Sequence, residues 1–255
     1  MFVPAGDAAP CRTRPCAGKP SRCLAFPRRL DGRAYRGGTR LDPSTSFAEP
    51  PRVEWHRGRP FAFSRLPEDY ARRLEAVAHE LAPRVAALES APGMLPWAGT
   101  YGARFAYYNI FQLHPACLPL FWSMKATYLA LIEAMGVERR SSCARGWFNI
   151  QRAGERIGPH VHEAKFVGTF AARAEGSDTR FALVEDRMED GVVIPNVDGQ
   201  LLLTFGAHHC HDTTEWQRTD VARVTYAIDI LPAEKWSGSH VQVPFDAPPF
   251  PLSDG

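Results

Sequence analysis

The sequence has no C-x-x-C pair, no long uninterrupted apolar run and no large excess of charge of either sign. Its six cysteines are scattered and its formal net charge is +2 over 255 residues. A cysteine-based structural zinc site needs closely spaced cysteine pairs, and a membrane-spanning helix needs ~20 apolar residues. We therefore expect neither of these, and the overall charge gives no reason to expect a nucleic-acid partner.

The compartment is predicted from what the cysteines and the start of the chain lack. The cysteines do not follow the spacing of a small disulfide scaffold, which favours a reducing, cytoplasmic location. The sequence also starts without a charged segment followed by a long apolar one, so we do not expect a secretory signal. Residues 1–52 are basic and rich in proline and glycine, and they are predicted to be a disordered tail. A solvated leader explains this composition, and an organelle transit peptide is the alternative.

The next segment, residues 53–140, is predicted to be a helical N-terminal part. Apolar residues recur at helical spacing after Ser64, which we expect to cap a helix, and Pro83 is expected to kink or split that helix. The aromatic alternation of residues 105–113 predicts a strand. A second helix is expected to begin near Pro119 and to end at Gly136.

Residues 141–235 read as a β-rich core, followed by a proline-rich C-terminal tail at 236–255. Strands are predicted at 146–151, 166–174, 181–185, 201–205 and 223–230. Short strands at these spacings indicate a sandwich or barrel. Within the first of them, Trp147, Asn149 and Gln151 share one face.

His160 and His162 form an H-x-H pair in the stretch around which the rest of the chain is organised. On a strand, alternate side chains share a face, so the two imidazoles point the same way and can bind one metal ion. A further ligand is expected from residues 208–211, which read His-His-Cys-His. His209 and His211 share a strand face, so parity does not separate them, whereas Cys210 alternates away. Imidazole suits iron, zinc, copper and nickel alike.

Arg223 lies in the last predicted strand, between apolar neighbours. A half-buried arginine needs an anion, and its planar guanidinium binds a carboxylate through two hydrogen bonds. Thr225 shares its face and could add a hydroxyl group. A cross-strand ion pair at the surface is the alternative for Arg223.

The order of these residues resembles the jelly-roll Fe(II)/2-oxoglutarate-dependent oxygenases. One subgroup of putative 2-oxoglutarate–Fe(II) oxygenases has a motif similar to Asn149, Gly154, Pro159-His160-Val161-His162 and Gly168, followed by Phe205, His211 and Arg223. The aspartyl/asparaginyl β-hydroxylase-like proteins also have a phenylalanine six residues before the distal histidine. The resemblance covers about residues 145–232.

This resemblance implies a double-stranded β-helix, or jelly roll, that N-terminal helices brace. It implies Fe(II) held by His160, His162 and His211, with His209 as the alternative distal ligand. The alternative for His162 is a place beside a two-histidine site, where it would contact a metal ligand or the substrate. The spacing from Phe205 and to Arg223 favours His211. The cosubstrate 2-oxoglutarate would contact Arg223, Thr225, Asn149 and Gln151. The implied activity is hydroxylation, or another C–H oxidation, of a small molecule; the family suggests an amino-acid-like substrate or a natural-product intermediate.

The sequence departs from this family at His162, where a carboxylate is usual. Glu163 alternates to the opposite face, and Asp212 and Glu215 are weaker candidates for a carboxylate ligand. A bulky imidazole at this position would crowd a bound halide, so hydroxylation is expected over halogenation. Two alternatives stay open: a cupin-like metalloprotein that does not use 2-oxoglutarate, and a jelly-roll ligand-binding protein without catalytic activity. Arg223 distinguishes them, because only a 2-oxoglutarate enzyme requires it.

Overall fold

A computed structural model of the chain describes residues 47–88, 107–162, 164–183, 188–206, 209–233 and 243–244. Three helices are α1 (Glu68–Ala86), α2 (Ile110–Leu113) and α3 (Leu118–Ala134). The strands are β1 (Glu49–His56), β2 (Arg59–Arg65), β3 (Ser142–Gln151), β4 (His160–Val161), β5 (Phe166–Arg173), β6 (Asp178–Leu183), β7 (Val192–Pro195), β8 (Gln200–Phe205), β9 (His209–Thr213), β10 (Arg223–Pro232) and β11 (Val243–Pro244).

The strands form two antiparallel sheets with jelly-roll connectivity. The larger sheet has the order β1-β2-β8-β5-β10-β3-β11, and the smaller has the order β4-β9-β6-β7. From β3 to β10 the chain passes from one sheet to the other at every connection except β6 to β7, which are neighbours in the smaller sheet. As a result, β3, β10, β5 and β8 lie side by side in one sheet, and β4, β9, β6 and β7 form the other. The predicted jelly roll is confirmed by this strand order.

The two faces of the larger sheet differ in what covers them. On β10, Val224, Tyr226, Ile228 and Ile230 belong to one apolar core with side chains of α1 and α3. The phenol of Tyr226 fixes this contact by donating a hydrogen bond of 2.6 Å to the carbonyl oxygen of Leu74 in α1. The helices therefore brace the outer face of the sheet, as predicted, and the alternate residues of β10 face the interior of the jelly roll.

The interior is apolar at one end and polar at the other. Phe61, Phe63, Phe181, Ile194 and Leu202 pack together in a small core between the sheets, with Val192 beside them. The paired strands β3 and β10 carry polar side chains inward instead. Because apolar side chains fill one end of the jelly roll, the polar end formed by β3 and β10 is the candidate place for a binding site.

Several local predictions hold. Helix α3 has a proline in its first turn and is followed by Gly136 at a φ of 61°, a left-handed conformation that ends helices. Pro83 lies inside the last part of α1 and does not split it. Each strand predicted between 146 and 230 corresponds to an observed strand in its described part.

Other local predictions are wrong, or fall outside the described residues. Ser64 does not cap α1, because it lies in β2 and bonds Thr127 of α3, while Pro67 precedes the helix. In the described part of residues 105–113, the predicted strand is instead the short helix α2. Asn109 caps it by accepting from the backbone N–H of Phe111.

The β1–β2 hairpin was not predicted. It begins at Glu49, inside the segment predicted as tail, and turns at Arg57 and Gly58, which both have positive φ. The rest of that tail, residues 1–46, and nearly all of 236–255 lie outside the described residues. We keep the division into tail, N-terminal part, core and C-terminal tail as a proposal. None of the described helices combines the length and apolarity that crossing a bilayer requires.

Candidate active site

Three of the predicted histidines come together at the β4–β9 strand pair of the smaller sheet. His160 lies in β4 directly opposite His211 in β9, and His162 follows β4. One ring nitrogen of each lies within 4.8 Å of the others, so the three could hold one metal ion. The predicted sharing of a face holds for His160 and His162, although β4 itself is only two residues long.

Hydrogen bonds fix which ring nitrogens of the first two histidines are available. Nδ1 of His160 lies 2.9 Å from the carbonyl oxygen of Gly158, which can only accept, so Nδ1 carries the proton. Nδ1 of His162 lies 2.5 Å from the carboxylate of Asp229 and donates to it in the same way. Each neutral imidazole then presents its Nε2 lone pair, and these two nitrogens are 3.0 Å apart.

Two facing lone pairs at this distance need a cation between the rings, either an added proton or a metal ion. With metal–nitrogen bonds of about 2.0–2.1 Å, neighbouring ligands are about 2.9 Å apart at an octahedral angle and about 3.3 Å apart at a tetrahedral one. The observed 3.0 Å separation matches that of two ligands on one ion. The donor set of three imidazoles fits a divalent transition metal.

The environment keeps His160 and His211 neutral, as metal ligation requires. Burial and the neighbouring His162 lower the pKa of His160 to about 4. Burial, with His160 and His162 nearby, lowers the pKa of His211 well below its usual value. At neutral pH a metal ion therefore meets little competition from protons at these two rings.

His162 is held from two sides. The fully buried carboxylate of Asp229 accepts from its Nδ1, and the indole of Trp147 stacks on its ring at 16° with centroids 5.9 Å apart. Arg145 binds the same carboxylate, through an Nε donor at 3.1 Å and through a second, shorter contact. Burial raises the pKa of Asp229, but the charges and hydrogen bonds of His162 and Arg145 outweigh it and hold the pKa at about 2.

The remaining candidates for the metal site do not join this cluster. His209 is buried on β9 but lies outside the group of ligand atoms found among the described residues, which favours His211 as the distal ligand. Asp212 is paired with Arg180, and Glu215 is exposed. Both are therefore wrong as carboxylate ligands. Glu163 and His208 lie outside the described residues.

The residues predicted to bind a cosubstrate form a second buried cluster on the same inner face. In the register of β3 and β10, Arg223 is opposite Gln151 and Thr225 is opposite Asn149. Nη1 of Arg223 donates to Gln151 Oε1 at 3.1 Å, and Asn149 Nδ2 donates to Thr225 Oγ1 at 3.4 Å. The predicted surface ion pair for Arg223 is excluded, because its side chain is only 1% exposed.

This cluster has polar atoms that the described residues do not satisfy. Arg223 Nε and Gln151 Nε2 are buried donors, and Asn149 Oδ1 is a buried acceptor, each without a hydrogen-bond partner among the described residues. Burial lowers the pKa of Arg223 to about 10, so the guanidinium is still charged at neutral pH. A buried cation beside unsatisfied donors fits the carboxylate of an anionic ligand.

Asp229 and Arg145 are the site residues that the sequence analysis missed. Both are charged residues with uncharged neighbours on either side in their strands, and Asp229 has the same strand parity as Arg223. A charge on the inward face of a buried strand requires a partner, and this signal is present in the sequence. The identity of the partners is not, because Arg145 and Asp229 become neighbours only when β3 pairs with β10.

The fold and the site together define a jelly-roll protein with a candidate three-histidine metal centre. No protein-family model matches the sequence, and no curated protein matches it. In fold it resembles solved Fe(II)/2-oxoglutarate oxygenases, the superfamily that its motifs resemble.

Three of these structures show how distant the likeness is. A Pseudomonas putida prolyl-4-hydroxylase is 15% identical, with 68% of this chain and 88% of that chain covered, at a TM-score of 0.45. SnoK, a non-heme alpha ketoglutarate dependent carbocyclase from nogalamycin biosynthesis, is 12% identical over 68% and 79% at 0.47. A 2OG-Fe(II) oxygenase family oxidoreductase from Burkholderia pseudomallei is 13% identical over 72% and 74% at 0.39. At these values the function has to be inferred from the chain's own residues.

Proposed function

We propose that the protein is an Fe(II)- and 2-oxoglutarate-dependent dioxygenase that hydroxylates a small molecule. The observation that carries this proposal is the inner face of β10. It has Asp229, which binds the candidate ligand His162, toward one end, and the buried Arg223 at the other. Between them, with the same strand parity, lie the small side chains of Thr225 and Ala227.

In this proposal each cluster has a separate task. His160, His162 and His211 would hold Fe(II), and three protein ligands leave coordination positions open for a cosubstrate. Arg223 would bind the distal carboxylate of 2-oxoglutarate, with Gln151, Thr225 and Asn149 supplying further hydrogen bonds. Bound together, Fe(II) and 2-oxoglutarate supply oxidation by O2, coupled to the conversion of 2-oxoglutarate to succinate and CO2. The protein's residues hold the metal, orient the cosubstrate and exclude water.

The reaction type within this class follows from His162. Its imidazole fills the position that a halide would need, so we propose hydroxylation, or another C–H oxidation, over halogenation. The substrate is proposed to be a small molecule, amino-acid-like or a natural-product intermediate. The proposed location is the cytoplasm.

A second candidate function is a cupin-like dioxygenase that does not use 2-oxoglutarate. It is favoured by one specific feature, the three neutral nitrogen ligands without a carboxylate. It leaves Arg223 without a task, although burying an unpaired guanidinium is costly. This is the reason for preferring the 2-oxoglutarate enzyme.

Metal content and cosubstrate binding test the proposal. Iron should be bound at one ion per chain after anaerobic loading, and His160→Ala and His211→Ala should each reduce it to background. His209→Ala is the matched control, because it removes a buried histidine from the same strand outside the cluster, and it should retain iron. Iron bound equally by all the variants would refute the site.

The same loaded protein decides between the two candidate functions. An anaerobic titration with 2-oxoglutarate should produce a metal-to-ligand charge-transfer absorbance band that saturates. If 2-oxoglutarate produces no band and does not stimulate oxygen uptake, while iron still binds, the cupin-like function is favoured instead.

A further inference from the structure

The most unusual buried group in the molecule is a carboxylate that does not belong to the three-histidine cluster but touches it. Asp229 is 0% exposed, in a strand whose other nearby residues are mostly apolar. Desolvating an ionised carboxylate costs several kcal/mol unless it is paired and hydrogen-bonded. Such a group in the interior therefore needs a structural or functional reason.

The way Arg145 binds Asp229 separates the two oxygen atoms of the carboxylate. Both the Nε and the Nη2 of Arg145 donate to Oδ2, so the arginine leaves Oδ1 to His162. A second pair with a buried aspartate, Asp212 with Arg180, has a different geometry. There, Nε donates to Oδ1 and Nη2 to Oδ2, so that both oxygens are used by the arginine. A pair that only neutralised charge would use this two-oxygen fork.

We infer that Asp229 is a positioning residue of the metal centre, oriented by Arg145 and acting through His162. This inference rests on the proposed function, since it concerns the same metal ion. The candidate metal ligands include no carboxylate. The carboxylate of Asp229 instead contacts Nδ1 of His162, the ring nitrogen that does not face the metal position. By accepting from Nδ1, Asp229 fixes the tautomer with the Nε2 lone pair toward the metal, orients the ring and makes Nε2 a stronger donor.

Stacking by Trp147 completes the arrangement. The indole lies nearly parallel to the His162 ring and so limits its tilt, while the hydrogen bond to Asp229 limits its rotation about χ2. At the corresponding nitrogen of His160, the nearby acceptor is the backbone carbonyl oxygen of Gly158, at 2.9 Å. At His162 the acceptor is a charged side chain, so the carboxylate of Asp229 can raise the donor strength of this candidate ligand.

The test has one arm that needs no metal and one that does. In the metal-free protein, ¹⁵N–¹H NMR correlation of the histidine rings should show a proton on Nδ1 of His162. Asp229→Leu, which removes the acceptor but keeps a side chain branched at Cγ, should reduce the fraction with this proton. If Nδ1 of His162 in the native protein carries no proton, the inference is overturned without recourse to any variant.

The second arm measures the dissociation constants of Co(II) and Zn(II) for folded protein, with the Co(II) absorption spectrum as a probe of the ligands. Asp229→Asn keeps an acceptor but loses the charge, and Asp229→Leu loses both. We expect weakening of about 10–100-fold, larger for Leu than for Asn, with an altered Co(II) spectrum. Asp212→Asn makes the same change in the second pair, on the opposite face of β9 from His211, and should leave both measurements unchanged.

The outcomes separate this inference from the proposed function. If the native protein binds neither Co(II) nor Fe(II), the proposed function fails and the inference falls with it, whatever the NMR arm shows. If the native protein binds the metals and the folded Asp229 variants bind them equally well with unchanged spectra, the inference alone is overturned. Equal weakening in Asp212→Asn would also overturn it, because it would show a general effect on the fold.

Discussion

Replacing Arg223 by methionine should make the protein more stable and yet unable to respond to 2-oxoglutarate. Arg223 is 1% exposed, its Nη1 donates a hydrogen bond to Gln151, and its Nε has no hydrogen-bond partner among the described residues. Methionine fills a similar volume without a charge. The change therefore removes an unpaired buried cation and little packing.

The size of the effect follows from the pKa of Arg223. Burial lowers this pKa from 12.5 to about 10, which corresponds to about 3 kcal/mol of cost to the folded state at neutral pH. The sign is unfavourable, because a depressed pKa of a base means that the fold disfavours the charged form. Removing this cost should stabilise the variant, but Gln151 loses its hydrogen-bond donor, which destabilises the variant by about 1–2 kcal/mol. The expected net stabilisation is about 1–2 kcal/mol, or a rise in Tm of about 2–6 °C.

Thermal unfolding with and without the cosubstrate checks this reasoning. Native protein loaded anaerobically with Fe(II) should gain about 2.7 kcal/mol at a 2-oxoglutarate concentration of 100 times Kd, whereas Arg223→Met should gain far less at that concentration. Arg180→Met is the matched control, and it should lower Tm because it leaves Asp212 buried without its cation. A less stable Arg223→Met protein, or one that 2-oxoglutarate stabilises as much as the native chain, would refute the assignment.

Two further predictions concern the scaffold. Gly168→Ala should destabilise by about 1–3 kcal/mol in urea unfolding, because a Cβ there would lie 2.4 Å from the backbone oxygen of Leu202; an unchanged free energy of unfolding would contradict the close-approach argument. Burial raises the pKa of the Cys117 thiol to about 12, so the unfolded state releases this proton first and stability should fall as pH rises from about 8.5 toward 12. Cys117→Ala should flatten that slope in alkaline urea titrations, and an unchanged slope would count against the shift.

The elements that could be predicted from the sequence are those that bury one face, because their apolar residues then recur at the period of a strand or a helix. The outward residues of β10 and the buried stripe of α1 repeat at strand and helix periods, and the structure buries them accordingly. The segment at 107–113 has an aromatic alternation that also favours a strand. There the tertiary contacts of Asn109 decide, since it caps α2 and donates to the Ala144 carbonyl of β3.

The candidate site was predictable to the extent that it depends on parity along one strand. His160 with His162, and Arg223 with Thr225, each follow from alternation, and the structure brings each pair to the interior. What alternation cannot give is which strands become neighbours. The choice of His211 over His209 and the bond from Asp229 to His162 both depend on contacts between strands that are distant in sequence.

Both halves of the candidate site have an excess of positive charge, and one anionic ligand could neutralise the two together. Three neutral imidazoles leave a divalent metal ion with its full charge of +2, and the charges of Asp229 and Arg145 cancel one another. Arg223 adds a further positive charge that no described carboxylate pairs with at hydrogen-bond distance. If His162 is the third ligand, as proposed, the interior is more positive than that of a two-histidine, one-carboxylate site. A dianion that reaches from the metal to Arg223 satisfies both ends at once, and 2-oxoglutarate is such an anion.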